Sequence, residues 1–381
     1  MQSWFVKRFL KKLLLDVQGD FGGFEERTSL LHRELRQHSR KATPTSTMNS
    51  NAHNSGPTAH TSAPTPANKS TSSQLFTLQS IPGQGKGLVA SRAITPGTLL
   101  ISEAPLFAIP SAASERDLAA HLRTLPKESQ RAFLSLHNSR AGAGEPLSNI
   151  VRTNAYPLGP GRDLGGIFPL IARINHSCRP NAQHAWNGND GEETVYSVRE
   201  IKEGEQLSLS YHEGGPSSER RKALKEFFGF DCTCEMCEMP KDQLATSDER
   251  LRRAKVLDKA IGEAKRVRMT PEDALRDCRE LVRIYEEERI ADLRVPRLYY
   301  DAFQICAMHS DKARAKVFAK RSLEARLMCE GEKSEEAEVM AGLVKDPANF
   351  ENFGTTKKWK MEKVPVGLDE VEFEKWLWRE M

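Results

Sequence analysis

No run of about eighteen apolar residues occurs in the sequence, and an α-helix needs roughly that length to cross a bilayer. A transmembrane helix is therefore excluded. An evident secretory signal is also missing, and the seven cysteines are an odd number. A disulfide framework is not expected from these features, and the thiols are predicted to occupy a reducing compartment.

Excess charge of one sign is scarce in most of the chain. The formal net charge of the 381 residues is only +4, and the first 74 residues carry 10 Lys and Arg against 5 Asp and Glu. The remainder is therefore close to neutral, which argues against direct nucleic-acid binding. The length is sufficient for two domains, or for one large domain with extensions.

Residues 1–40 form a basic amphipathic N-terminal segment. A helix over residues 4–15 would set basic side chains opposite apolar ones, namely Lys7, Arg8, Lys11 and Lys12 opposite Phe5, Val6, Phe9, Leu10, Leu13 and Leu14. This pattern is typical of a targeting or membrane-surface helix. Acidic residues soon follow and suit a transit peptide poorly, so a partly ordered tail, or a helix that docks on the protein's own body, is favoured over a targeting segment. Residues 41–73, rich in Ser, Thr and Pro, are predicted to be a disordered linker.

The folded body is predicted to begin near Leu75. Residues 75–78 and 98–101 have the composition of strands, and they flank a glycine-rich turn at residues 83–87. Glycine there permits the close approach of a ligand, although the turn lacks the pattern of a P-loop or of a dinucleotide fingerprint. Taken alone, the turn is more typical of an ordinary hairpin. Residues 112–145 are predicted to be a helical insert.

Short strands return at residues 194–198 and 206–211. In the second of these, Leu207, Leu209 and Tyr211 share one face, so the ring of Tyr211 is predicted to point inward. A helix should follow the strand. Its predicted limits are set by a proline near its start, Pro216, and a glycine just beyond its end, Gly229.

Residues 245–345 have an all-helical pattern, and four or five helices in antiparallel pairs are predicted there. Thr246 is predicted to cap the first helix, while Thr270 with Pro271 marks another helix start. The sequence leaves open whether the tail, residues 346–381, packs back on the body or stays exposed.

The densest chemistry lies in the segment Asn175–Asn181, which gathers amides, an imidazole and the thiol of Cys178. Farther along the chain, Cys232, Cys234 and Cys237 supply three more thiols within six positions. Zinc in a structural site takes four soft ligands, so this cluster needs a fourth, and Cys178 is the best candidate. Ordinary buried thiols are the alternative, and the spacing favours zinc over them.

Four motifs follow one another between residues 75 and 240, and they are Gly85–Leu88, Arg173–Asn181, Gly204–Tyr211 and Phe230–Cys237. Their order resembles that of a SET-domain protein lysine methyltransferase, most of all the SET and MYND group and its fungal relatives, although no MYND zinc module is present. The resemblance implies an α+β fold of small β-sheets with a knot-like core. It also implies a SET domain at 75–212, a zinc-bound post-SET segment at 213–240 and an all-helical C-terminal lobe.

The same resemblance implies S-adenosylmethionine as the methyl donor. The backbone around Lys86, Gly87 and Leu88 would hold the methionine end of the donor, and Asn175 and His176 would contact its amino and adenine groups. Phe230 would flank the adenine or the lysine channel. Tyr211 matches the catalytic tyrosine and would also line the donor site. Zinc held by Cys178, Cys232, Cys234 and Cys237 would be structural.

Methyl transfer from S-adenosylmethionine requires little acid or base strength from the protein, because a sulfonium methyl is already activated. The protein must supply an in-line approach and a neutral lysine amine. A lysine in water has a pKa of about 10.4, and a narrow apolar channel lowers that pKa by disfavouring the charged form. Tyr211 would therefore orient the amine and would not act as a nucleophile.

The predicted partner is a protein substrate with an accessible lysine, either a histone tail or another peptide, and the enzyme is expected to be a monomer in the nucleus, the cytoplasm or both. A catalytically inactive SET scaffold that binds proteins is the alternative. A zinc-stapled nucleic-acid binder is disfavoured, because Asp231, Glu235 and Glu238 surround the cysteines. The sequence leaves the substrate and the degree of methylation open.

Overall fold

Residues 75–159 and 162–380 are described by a computed structural model, in which a strand-rich region is followed by a helical region. This arrangement confirms the predicted α+β class. The amphipathic segment 1–40 and the linker 41–73 lie outside the described residues. None of the helices within the described ranges is both long and apolar enough to cross a bilayer.

Ten short strands form four small sheets in the described residues. The strands are β1 (Phe76–Ile81), β2 (Gly85–Ala90), β3 (Leu99–Glu103), β4 (Phe107–Pro110), β5 (Ala155–Pro157), β6 (Leu164–Ile167), β7 (Asn175–His176), β8 (Ala182–Asn187), β9 (Glu192–Ser197) and β10 (Ser208–Leu209). The sheets are β1–β2, β3–β9–β8, β4–β6–β5 and β7–β10, and the last of these is parallel.

The glycine-rich turn joins β1 to β2 in an antiparallel hairpin, with Ile81 opposite Gly85. The predicted strand at residues 98–101 exists as β3, but it belongs to another sheet. The strand that follows the turn is β2, which the sequence analysis missed because its glycines resemble loop. β8 was also missed, because its sequence Ala-Gln-His-Ala-Trp-Asn does not alternate between apolar and polar residues.

The predicted strand at residues 206–211 contracts to the two residues of β10. Leu207 and Leu209 are buried as predicted. Tyr211 lies just beyond the strand, is partly buried and packs against the same core. The segment that contains Asn175 and the segment that contains Leu209 lie side by side as the parallel pair β7–β10.

Eleven α-helices occur in the described residues. They are α1 (Glu115–Thr124), α2 (Lys127–Leu134), α3 (Pro146–Asn154), α4 (Ser217–Phe228), α5 (Lys241–Ile261), α6 (Ala264–Met269), α7 (Pro271–Glu287), α8 (Arg294–Met308), α9 (Lys312–Glu330), α10 (Glu335–Lys345) and α11 (Glu370–Leu377). Helices α1 and α2 fall in the predicted insert, where Ser114 and Asp117 form a capping box at the start of α1.

Two predictions for the helical region are wrong. Six helices, and not four or five, lie between Lys241 and Lys345. Thr246 does not cap a helix, because α5 already begins at Lys241 behind Pro240 and the Thr246 hydroxyl donates to the Asp242 carbonyl inside the helix. The start at Pro271 is confirmed, although the Thr270 side chain makes no capping hydrogen bond.

The tail packs against the helices. Its three tryptophans, Trp359, Trp376 and Trp378, are buried in the core of the helical region. The cysteines of this region, Cys278, Cys306 and Cys329, are also buried. A separate core lies under the strands, and a smaller one surrounds the cysteine cluster.

Candidate active site and metal centre

The parallel pair β7–β10 brings together motifs that are distant in the sequence, with Asn175 opposite Ser208 and His176 opposite Leu209. Asn181, at the end of the amide-rich segment, fixes this pairing. Its side-chain oxygen accepts from the Ser208 backbone N–H at 2.8 Å, and its amide donates to the Gln206 carbonyl at 2.9 Å. Asn181 is fully buried, so its amide replaces backbone partners that two-residue strands cannot supply.

The glycine turn lies directly against this pair. The Asn175 amide donates to the Lys86 carbonyl at 3.2 Å, and Leu88 is buried and accepts from the Leu207 backbone N–H at 2.8 Å. A Cβ on Gly87 would lie 2.6 Å from the Gln206 side-chain nitrogen and 2.9 Å from that of Asn175. A side chain at this position would displace both amides.

Gln206 is a feature that the sequence analysis missed. Its side-chain nitrogen is buried beside Gly87 and has no hydrogen-bond partner. Buried polar groups normally have partners, so this amide is a donor waiting for an acceptor. A carboxylate, such as that at the methionine end of the expected donor, can accept a hydrogen bond from this amide. No sequence pattern distinguishes Gln206 from an ordinary residue at the start of a predicted strand.

Tyr211 joins the site from the residues that follow β10. Its hydroxyl donates to the Ile174 carbonyl at 2.6 Å, and its ring centroid lies 4.8 Å from that of Phe228. Burial raises the pKa of the Tyr211 phenol above its usual value, so the hydroxyl stays neutral. With its proton committed to Ile174, the hydroxyl oxygen can accept a hydrogen bond from an incoming group.

His176 is held by protein groups at both ring nitrogens. Nδ1 accepts from the Tyr211 backbone N–H at 3.1 Å, and Nε2 lies 3.3 Å from the sulfur of Cys178. Burial lowers the pKa of His176 to about 4, so the ring is neutral near pH 7. Phe230 completes the group with its ring centroid 6.0 Å from that of His176.

The four predicted metal ligands converge. The Sγ atoms of Cys178, Cys232, Cys234 and Cys237 all lie within 4.8 Å of one another. Cys178 Sγ is 3.9 Å from that of Cys232 and 3.6 Å from that of Cys237. Tetrahedral zinc with bonds of ~2.3 Å requires sulfur separations of ~3.8 Å, whereas a disulfide requires ~2 Å. The residues therefore fit a four-thiolate metal centre.

Arg220 supplies positive charge beside these sulfurs. Its guanidinium is buried, donates to the Gly215 carbonyl at 2.6 Å, and lies 4.0 Å from the sulfur of Cys237. A metal held by four thiolates carries net negative charge, so a buried guanidinium here offsets part of it.

Comparison with known proteins agrees with this geometry. The SET domain family matches residues 85–212. The chain is 33% identical over 276 residues to histone-lysine N-methyltransferase set5 of Schizosaccharomyces pombe, a match that covers 72% of this chain and 85% of that protein. It is 31% identical over 150 residues to N-lysine methyltransferase SMYD2 of Homo sapiens, covering 38% of this chain and 30% of that protein. It is 37% identical over 89 residues to histone-lysine N-methyltransferase SMYD3 of Mus musculus, covering 23% of this chain and 20% of that protein.

Proposed function

The chain belongs to the SET-domain protein-lysine methyltransferases, and from that premise we propose how its own residues divide the work. SET methyltransferases use S-adenosylmethionine, which supplies an activated sulfonium methyl group when it is bound. The chain is accordingly a methyltransferase that acts on lysine side chains of proteins, and an inactive scaffold is not favoured.

The donor site in this proposal is built around the contact between the glycine turn and Asn175. The backbone of Lys86, Gly87 and Leu88 holds the methionine end of the donor, and the unpartnered Gln206 amide donates to its carboxylate. Asn175 contacts the donor's amino group. Both His176 ring nitrogens already have partners, so its ring face and backbone are the surfaces left for the adenine, together with Phe230.

Tyr211 is the proposed catalytic residue. Its hydroxyl proton is engaged by the Ile174 carbonyl, so the oxygen accepts an N–H of the neutral lysine amine. That hydrogen bond turns the amine's lone pair toward the methyl group. The rings of Tyr211 and Phe228 form apolar surroundings that disfavour a charged ammonium.

The remaining assignments concern the metal, the substrate and the organisation of the chain. Zinc is the proposed metal at the four cysteines, because closed sites of four thiolates are typical of structural zinc. A histone is one proposed substrate, since two of the relatives carry that word in their names. The protein is proposed to be a monomer in the nucleus or cytoplasm that does not bind nucleic acid. Its proposed parts are a SET domain at residues 75–212, a post-SET segment at 213–240 and a helical domain at 245–345.

The observation that carries the donor site is the close approach of Gly87, Asn175 and the unpartnered Gln206 amide. Calorimetric titration of the zinc-loaded protein with S-adenosylmethionine tests it. Wild type and Tyr211→Phe should bind the donor, and Asn175→Ala should lose binding. The rate of methyl transfer to histones and to proteins in extracts should fall by about a hundredfold or more in Tyr211→Phe. This is the usual cost of losing one oriented hydrogen-bonding group.

Asn352→Ala is the matched control, because this exposed asparagine lies in the tail and far along the chain from the site. It should bind the donor as wild type does. Absence of donor binding by folded, zinc-loaded wild type at millimolar concentration would contradict the proposal and revive the scaffold.

A further inference from the structure

Two imidazoles converge on one sulfur of the metal centre. Nε2 of His176 lies 3.3 Å from the Sγ of Cys178, and Nε2 of His212 lies 3.2 Å from the same atom. The ring centroids of the two histidines are 4.9 Å apart. His212 plays no part in the donor site or in catalysis as proposed above, and its position next to Tyr211 calls for a role.

Backbone donors fix which ring nitrogen carries the proton. The Tyr211 N–H donates to Nδ1 of His176 at 3.1 Å, and the Gly214 N–H donates to Nδ1 of His212 at 2.8 Å. A ring nitrogen that accepts a hydrogen bond presents its lone pair, so the proton of each neutral imidazole sits on Nε2. Both Nε2–H groups are therefore aimed at the Cys178 sulfur.

The same donors argue against direct metal ligation by these rings. His176, Cys178 and His212 bring their ligand atoms close enough for a three-residue metal site. A ring that bound metal through Nε2 would carry its proton on Nδ1. That proton would then face the backbone N–H of Tyr211 in the case of His176, or of Gly214 in the case of His212. Two donors that face each other cannot form a hydrogen bond. The geometry thus favours histidines that contact the ligand and not the metal.

We propose that His212, paired with His176, is a positioning residue that donates an N–H···S hydrogen bond to the Cys178 thiolate and ties the backbone of residues 211–214 to the metal centre. This inference rests on the proposed four-cysteine metal site. The two bonds draw charge from a crowded anionic centre, as Arg220 does beside Cys237. They also connect the metal to the proposed catalytic tyrosine, because one imidazole holds the Tyr211 N–H and the other holds that of Gly214.

Spectroscopy of the cobalt-substituted full chain tests the role of His212. In His212→Leu the sulfur loses a hydrogen bond, so the sulfur-to-cobalt charge-transfer band should shift to lower energy while the tetrahedral four-thiolate pattern remains. Metal affinity should fall by about 10-fold to 100-fold, the usual effect of losing a partner of a metal ligand. His212→Gln, which keeps an N–H donor, should recover part of both. His137→Leu, a change of the same kind at an exposed histidine, should match wild type.

Cadmium-113 NMR of wild type with ¹⁵N-labelled histidine adds a readout that needs no variant. His176 and His212 should each show a protonated Nε2 and an unprotonated Nδ1, with the Nε2 proton coupled to the metal through the sulfur. Direct bonding of either imidazole to cadmium would overturn the proposal, as would a wild-type band and affinity in His212→Leu. If wild type bound no metal, the four-cysteine site itself would be wrong, and that result differs from one in which wild type binds metal but His212 has no effect.

Discussion

Gly87 is a position where the absence of a side chain creates a site. A Cβ there would meet Gln206 at 2.6 Å, Ile81 at 2.8 Å and Asn175 at 2.9 Å, all closer than real Cβ contacts. Glycine at position 87 therefore allows the turn to lie close to the segments that contain Asn175 and Gln206. These are two of the side chains proposed to hold the donor. Sequence reasoning identified the glycine turn but could not identify Gln206, whose significance comes from having no partner.

Gly87→Ala should weaken binding of S-adenosylmethionine at least about tenfold, because the added methyl displaces the Asn175 and Gln206 amides. Calorimetric titration measures the effect. Gly204→Ala is the control: its φ of 78° penalises alanine, but no atom lies within 4 Å of the new Cβ. That variant should lose stability and keep donor affinity. Equal donor affinity in the Gly87 variant and wild type would contradict the proposed site.

Glu103 is a second residue whose behaviour follows from its surroundings. Its carboxylate accepts from the backbone N–H groups of Leu170 and Ile171 at 3.0 and 2.9 Å, contacts that favour the charged form. Burial opposes them and dominates, raising the pKa of Glu103 from 4.5 to about 7. The folded protein thus holds this proton more tightly than the unfolded chain does.

The contribution of Glu103 to stability should be fully present below about pH 4.5 and should disappear as the pH rises through 7. Glu103→Gln removes the titration and keeps an oxygen acceptor for both N–H groups. From pH 5 to pH 8 the free energy of unfolding of wild type should therefore fall by about 2 kcal/mol relative to the variant. Urea unfolding at the two pH values measures this difference, and parallel pH profiles would refute the assignment.

At the scale of elements, α4 was predictable and the strands around the site were not. Pro216 and Gly229 mark the limits of α4 by local rules, since Gly229 takes a left-handed φ of 78° at the helix end. In contrast, β7 and β10 are two residues each, and they exist only because they pair with each other. No local sequence pattern encodes such short strands. The sequence therefore identified the residues of β7 and β10 as part of the site but did not predict where these strands begin and end.

Gly229→Ala should destabilise the protein by about 1–2 kcal/mol, because a left-handed backbone penalises alanine and the Cβ would lie 3.1 Å from the Ser139 carbonyl. Gly342→Ala provides the opposite case. This glycine lies within α10 with nothing within 4 Å of a new Cβ, so alanine should stabilise by up to about 1 kcal/mol. Thermal unfolding compares the two, and changes of the same sign would be inconsistent with these backbone assignments.

At the scale of the whole molecule, the four-cysteine cluster lies where the strand-rich region meets the helices. The core around Cys178, Cys232 and Cys237 includes Leu251 of α5 and is packed against by Ile290, which follows α7. Arg179, next to the first cysteine, donates to the Glu288 carbonyl at 2.9 Å. The sequence predicted that these three cysteines and Cys234 would lie together, and their Sγ atoms do converge, but their place at this junction depends on contacts that only the folded chain makes.

Removal of the metal should loosen this junction and leave the helical core intact. Structural zinc can contribute roughly 10 kcal/mol of apparent binding energy, so the apo protein should lose hydrogen-exchange protection around residues 176–181, 209–215 and 230–239. The backbone near Phe303 and Phe318, buried in the separate helical core, should keep its protection. Zinc should restore the pattern and magnesium should not. Uniform loss of protection would contradict a local role for the metal.

The parallel pairing of β7 with β10 also bears on how the protein is made. Asn175 and Ser208 are more than thirty residues apart, and the thiols that complete the centre come later still. During synthesis the glycine turn and Asn175 leave the ribosome well before Cys237, so the early segments have no complete partner to pair with. Contacts between distant residues form slowly. Formation of the site should therefore be a late event that depends on the proposed metal, and cells short of zinc should accumulate full-length chains that lack a working site.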